Sequence, residues 1–462
     1  MEKKEIQARA LGPKLLLVGA LAFLMWIPCL MIYALSWERS TRADTARNEI
    51  YALAGGRQVI SGPVILVPAS VETERLDKTG APIFRRTTVV FTPKMLSITA
   101  GLDTSVRSRS IYDATIYDAG LVMTGAFAPL SPPHPGAGAV RYDWAAARIA
   151  VKLADESNLK GISGEPVLTI DGVVRDSAFE PGISYDTGDE NTRFHAPGVS
   201  APLPITDPAR AIGFRLEMRL SGGGSVEFSP VGETTSVTLD ADWPHPSFFG
   251  ARLPDERRIS AADFSASWRI PYLARSLPRS FAADSGLSLL DSGKSFGVKF
   301  AASGGPYQSV NRALKYSLLF LGVVFLTFFL IEATMGGRAH PVQYLLLGLA
   351  QIVFFLLVLS MSEHIRFDTA FIGAATATTL LSGFYAATVF RSILRGLIAF
   401  TAFAGAYGLI YLLMKSEDYA LLIGSVAAFG GIALTMAATR NIDWYDLGGR
   451  RTGSLQTQEK RD

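Results

Sequence analysis

The chain of 462 residues is 49% hydrophobic, and 44 Lys and Arg stand against 41 Asp and Glu for a formal net charge of +3. Scattered, nearly balanced charge excludes the clustered basic face of a nucleic-acid binder, and a single cysteine, Cys29, excludes an intramolecular disulfide. The average hides two kinds of segment, a very apolar last third and a middle of ordinary composition.

Lys3, Lys4, Arg9 and Lys14 precede the first apolar run, Leu15–Leu35. A cleaved secretory signal uses about 7–15 apolar residues, so this longer run reads as an uncleaved signal anchor; Ala34-Leu35-Ser36 is a loose small-x-small cleavage site and the alternative. Residues 36–58 carry Ala43, Ala46, Ile50 and Leu53 at helical spacing, which predicts a helical extension stopped by Gly55-Gly56. Val64–Pro68, bounded by prolines, predicts a short buried strand.

From 59 to 300 the dominant period is two, the spacing at which alternate side chains of a strand share a face. Phe214, Leu216, Met218 and Leu220 alternate with Arg215, Glu217 and Arg219, and Ser221–Ser225 is expected to turn them into a hairpin with Val226 and Phe228. The same alternation marks Phe264–Ile270 and Phe296–Phe300, with further strands expected at Thr87–Phe91, Ser110–Tyr117, Leu121–Phe127, Ala147–Leu153, Val167–Ile170 and Ser236–Asp240. Many short strands joined by Gly- and Pro-rich turns predict a large β-rich, sandwich-like domain, all-β or α+β. Pro129–Val140 and Ala196–Pro208 read as irregular loops, either of which divides the domain into two lobes.

Five apolar stretches close the chain, at 316–334, 342–361, 370–390, 396–414 and 419–438. Backbone amides find no water in lipid, so each crosses as a helix, with about 20 residues spanning a ~30 Å hydrocarbon layer. The expected organisation is an N-terminus of residues 1–14, a first span at 15–35, a domain at 36–311, a five-helix bundle at 316–438 and a tail at 439–462. With the N-terminus inside, twelve basic residues fall on that side, including Arg338, Arg391, Arg395 and Arg440, while the two short outer loops hold only Arg366 and Lys415. Positive residues are retained in the cytoplasm, which places both termini there and the domain outside. Trp444 and Tyr445 suit an aromatic anchor at the inner interface.

In Asp242-Trp243-Pro244-His245-Pro246-Ser247-Phe248 two prolines fix the backbone around a Trp, a His and a Phe. Trp243, His245 and Phe248 are therefore the candidate partner-binding residues, the alternative being a rigid loop that packs its aromatics over a sheet edge. Adjacency of Asp242, His245 and Ser247 does not by itself create a catalytic triad. Five dispersed histidines, His134, His195, His245, His340 and His364, lack metal-ligand spacing, so neither metal nor other cofactor is expected. Glu332 sits at the end of the second span, and Gln351, the one strongly polar residue at mid-depth, is expected to bond between helices. Small residues such as Gly348, Gly383, Gly405 and Gly430 suit close helix contact and self-association. Glu363, His364, Arg366, Glu417 and Asp418 form the candidate outer rim, read either as solvated loop ends or as a surface coupling domain to bundle, with His364 its pH-sensitive member.

Several stretches together resemble the CreD family of inner-membrane proteins, nearly end to end: Leu53–Pro68, Arg109-Ser110-Ile111-Tyr112 through Gly125-Ala126-Phe127, Asp242–Phe248 with Leu253-Pro254, His340–Tyr344, Ser362–Ile365, Gly383-Phe384-Tyr385 and Glu417–Leu422. The resemblance implies a bacterial inner membrane, a periplasmic domain, and links to the Cre two-component response, cell-wall antibiotic stress and colicin tolerance. It brings no catalytic residues, and the tail at 443–462 departs from it. The expected protein is non-enzymatic and supports envelope integrity and stress response, with membrane lipid and an unidentified envelope protein or cell-wall component as partners. A transporter or channel component, and a periplasmic cell-wall hydrolase, are the alternatives.

Overall fold

The computed structural model describes residues 11–76, 80, 82–130, 140–153, 161–176, 178–187, 193–275, 277–283, 287, 290, 294–300, 306–335, 339–415 and 419–440. They form two compact units, one of Met1–Arg42 with Gly304–Asp462 and one of Ala43–Ser303.

In the second unit the described strands build two sheets of ten and eight strands. The larger runs Pro246–Gly250, Phe296–Phe300, Ser225–Phe228, Gln58–Leu76, Arg148–Lys152, Arg193–Pro202, Glu180–Asp186, with Pro82–Phe91 and Val140–Tyr142 also on the long strand Gln58–Leu76 and Ser280–Ala282 on Pro82–Phe91. The smaller runs Glu256–Ile259, Phe264–Ile270, Thr234–Ala241, Met95–Arg109, Tyr112–Phe127, Ile212–Gly223, Val167–Ile170, Val173–Arg175. Period-two burial explains the smaller sheet: Leu96, Ile98, Ala100 and Leu102, like Leu216, Met218 and Leu220, point into one core that also takes Ile149, Val151, Phe228 and Val298 from the larger.

Three sequence expectations need correction. Val64–Pro68 is the middle of a nineteen-residue strand; its Pro68 is tolerated because that side of the strand changes partner there, from Arg148–Lys152 to Val140–Tyr142, and the proline carbonyl still accepts from Asp143 N at 2.9 Å. Ser221–Ser225 does not close a hairpin. Ile212–Gly223 belongs to the smaller sheet, and beyond Gly224, at φ +77°, Ser225–Phe228 joins the larger one, parallel to Gln58–Ile60. Ala196–Pro202 is strand, paired on both sides, and Pro197 sits in a register shift between Ala196 and Val199. With one shared core, neither loop divides the unit into lobes; residues 131–139 of the other loop lie outside the described residues.

The first unit is helical. Helix α1, Leu11–Leu53, is continuous through both units, and α2, Pro306–Lys315, is short and amphipathic, burying Tyr307, Val310, Ala313 and Leu314. Then follow α3 (Ser317–Met335), α4 (Pro341–Ser362), α5 (Phe367–Val389), α6 (Ile393–Lys415) and α7 (Ala420–Thr439). All but α2 are long and apolar enough to cross a membrane, six among the described residues. His340 caps α4: its ring Nδ1 accepts from Val342 N at 3.3 Å while Gln343 Oε1 accepts from His340 N at 2.9 Å. Between the bundle helices lies an aromatic core in which the Tyr407 ring is tilted against Phe320 at 4.8 Å and edge-on to Phe354 at 4.5 Å.

Helix α1 ends within the β-rich unit in a socket of glycines. Gly55 has φ +106°, and a Cβ there would meet Ser221 O at 2.5 Å and the Gly161 backbone at 2.7 Å, while the Tyr51 ring fills the space that side chains on Gly223 and Gly224 would take. Gly55→Ala combines left-handed strain with a backbone clash, and is expected to lower unfolding stability by about 2 kcal/mol or more, read from denaturant unfolding of the detergent-solubilised protein.

Candidate functional site

Pro246–Gly250 ends the strand order of the larger sheet, so one side of its backbone lacks a strand partner among the described residues. The structure turns two of the three candidate aromatics inward. The Phe248 ring makes edge contacts with Phe264 and Trp268 at 5.7 and 5.9 Å, and Trp243 stands edge-on to Phe300 at 6.2 Å while its Nε1 donates to His245 O at 3.1 Å. Both are half-buried against the core; His245 and Ser247 are exposed. The loop thus clamps a sheet edge with its aromatics and presents His245 outward. Asp242 does not approach His245: its carboxylate accepts from Thr104 N at 2.6 Å, and the Thr104 hydroxyl donates to Asp242 O at 3.3 Å.

On the rim, Glu363 follows α4 and accepts from the Tyr307 hydroxyl of α2 at 3.0 Å, with the Arg39 guanidinium of α1 3.9 Å away. Asp368, at the start of α5, pairs with Lys415 at 2.8 Å and accepts from Tyr411 at 3.1 Å. His364 and Arg366 are exposed, and Arg366 makes no side-chain cap to α5. Glu417 and Asp418 lie outside the described residues.

Gln351 is fully buried and used at both ends of its amide, which donates to Ser382 at 3.2 Å and accepts from Tyr407 at 2.5 Å, tying α4 to α5 and α6. A second polar knot was not read from the sequence. Glu332 of α3, 5% exposed, accepts from Lys14 of α1, from Tyr344 of α4 at 2.9 Å and from Ala339 N at 3.0 Å; Lys14 also donates to Ala339 O at 2.6 Å. The available signal was a lone carboxylate at one end of an apolar span and a lysine at the edge of another, since charges at membrane depth take partners.

Outside the spans, burial pushes the Tyr117 phenol well above its usual range. It also lowers the Lys152 ammonium and the Arg275 guanidinium. Arg275 donates to Val231 O and to Thr92 Oγ1 at 3.2 Å.

Comparison with known proteins accords with a chain of one apolar helix, a β-rich insertion and five further apolar helices. The family described as "Inner membrane protein CreD" matches residues 10–445. The chain belongs to the CreD family. A curated member, the inner membrane protein CreD of Escherichia coli (strain K12), is 28% identical over 437 residues, covering 93% of this chain and 92% of that protein, and its name is not that of an enzyme. Among solved structures, substrate-bound and free forms of an M1 zinc metallopeptidase from Deinococcus radiodurans are similar at TM-scores of 0.21 and 0.19 and identities of 9% and 10%, covering 77% and 80% of this chain and 94% and 97% of theirs. Likeness at that level bears on neither fold nor activity. For this CreD-family chain, Glu332→Ala leaves the Tyr344 hydroxyl and Ala339 N without their acceptor and Lys14 without its carboxylate, keeping only Ala339 O, and is expected to cost roughly 3–5 kcal/mol. Glu332→Gln keeps one acceptor oxygen for Ala339 N and sets an amide NH2 that can donate to the Tyr344 hydroxyl, so it costs less; both are read as shifts in thermal unfolding in detergent.

Proposed function

We propose that this chain is a non-enzymatic inner-membrane protein supporting envelope integrity, with both termini cytoplasmic and the β-rich unit periplasmic, where it binds or senses an envelope component. Family membership and the six apolar helices support the membrane half. The orientation rests on twelve basic residues flanking the spans on one side against two in the short loops on the other. The single observation that carries recognition is the sheet edge at Pro246–Gly250. Its aromatics anchor it in the core while His245 and Ser247 are exposed beside backbone that has no further strand among the described residues. Such an edge takes an added strand from a partner through main-chain hydrogen bonds.

Alkaline phosphatase fused after Phe300 is expected to be active and a fusion at the C-terminus inactive; the reverse pattern overturns the orientation. A photoreactive residue at His245, compared in cells with one at Thr99 on an interior strand, is expected to capture one envelope protein or wall fragment at His245 alone. Equal background at both positions counts against recognition at this edge.

A further inference from the structure

The solvent face of the smaller sheet carries a groove of about 900 Å³ that the proposed edge does not use. Its floor is Gly101 and Gly120, directly paired across Met95–Arg109 and Tyr112–Phe127. Neither glycine has a positive φ, and a Cβ built on either meets nothing within 4 Å. Turn geometry and packing therefore leave both unexplained, and glycine weakens a strand interior unless another group approaches the backbone there.

The same cross-strand row continues outward on both sides. Asp240 is in register with Gly101, and Arg219 with Gly120. An acid and a base thus stand on the two flanks of a floor with no side chains, about 14 Å apart between Cα atoms at three strand spacings. Neither has a side-chain hydrogen bond or ion-pair partner among the described residues, and the same holds for Asp103, two residues along from Gly101. Asp118, opposite Asp103, is engaged by the Ser221 hydroxyl at 2.5 Å. The smaller groove on the other sheet differs: there Arg148 pairs with Glu180 at 2.6 Å and Arg193 with Asp186 at 3.8 Å. Among the described residues no His, Cys, Asp or Glu converge as a metal site would require.

An occupant that meets both flanks carries a cation and an anion joined by a narrow body that lies on bare backbone. Strand side chains stand roughly perpendicular to the sheet, so the separation of about 14 Å is kept between their tips; with a hydrogen bond of about 2.8 Å at each end, some 8 Å remain for the ligand, the length of two or three extended residues at about 3.3–3.6 Å each. We propose that this groove binds a di- or tripeptide with free termini, its ammonium between Asp240 and Asp103, its carboxylate on Arg219 and its main chain across Gly101 and Gly120.

The test uses the full-length protein in detergent with triglycine as probe, titrated by saturation-transfer NMR. Triglycine is expected to bind, and N-acetylation, C-amidation, Asp240→Asn or Arg219→Ala each to weaken it about tenfold. Gly101→Val, which fills open space on an exposed strand, is expected to abolish binding without lowering the thermal midpoint. The proposal is overturned if triglycine does not bind, if the amide or spermidine binds as well as the free peptide, or if Gly101→Val leaves affinity unchanged or lowers the midpoint.

Discussion

Backbone amides and carbonyls that leave water must find partners within the chain, and this one requirement shapes both units. In the apolar spans it is met within each helix, which needs no neighbour for its main chain and leaves α7 free to expose Leu421, Val426, Phe429 and Leu434 along its length. In the β-rich unit it is met between strands, so a buried segment such as Val64–Val67, at most 2% exposed, must have partners on both sides. Side chains obey the same demand. Gln351 and Glu332 sit where an unpaired polar group is expensive, and each gathers donors or acceptors from other helices.

Local periodicity made much of this legible. Phe214 to Leu220 and Phe264 to Ile270 alternate because each strand has one dry face, and that pattern is written residue by residue. The failures have a common cause, which is that strand partners are not local. Ser221–Ser225 has the composition of a hairpin turn, yet the glycines serve a change of sheet and a socket for Tyr51. Pro68 and Pro197 look like terminators, yet each falls where a neighbouring strand stops or slips register, so its missing N–H disrupts no ladder.

The candidate sites divide in the same way. That two prolines fix the backbone around Trp243 and Phe248 was readable; that their rings face the core follows from Phe264, Trp268 and Phe300, which are near only after folding. Lys14 and Glu332 are 318 positions apart, beyond any motif. Gly101 and Gly120 carry no signal until register sets them opposite one another. The small residues of the bundle also separate: Gly348 and Gly396 sit against Phe325 and Ala387 at 2.8 and 2.5 Å from a built Cβ, whereas Gly405, Gly408 and Gly430 face open space.

The strand Gln58–Leu76 is made early and completed late. Its antiparallel partner Pro82–Phe91 follows almost at once, but Gln58 to Ile60 pair with Val226 to Phe228, which in turn need Phe296–Phe300. At a synthesis rate of about 5–20 residues per second, the first residues of the unit wait roughly 10–30 s for their last neighbours. During that interval the apolar stretch Val64–Val67 already has its partners Pro82–Phe91 and Arg148–Lys152, while Gln58–Ile60 still wait for theirs. Biogenesis of this unit is therefore governed by loop closure over long sequence separations, and a nascent chain stopped short of residue 296 has no route to the finished sheet.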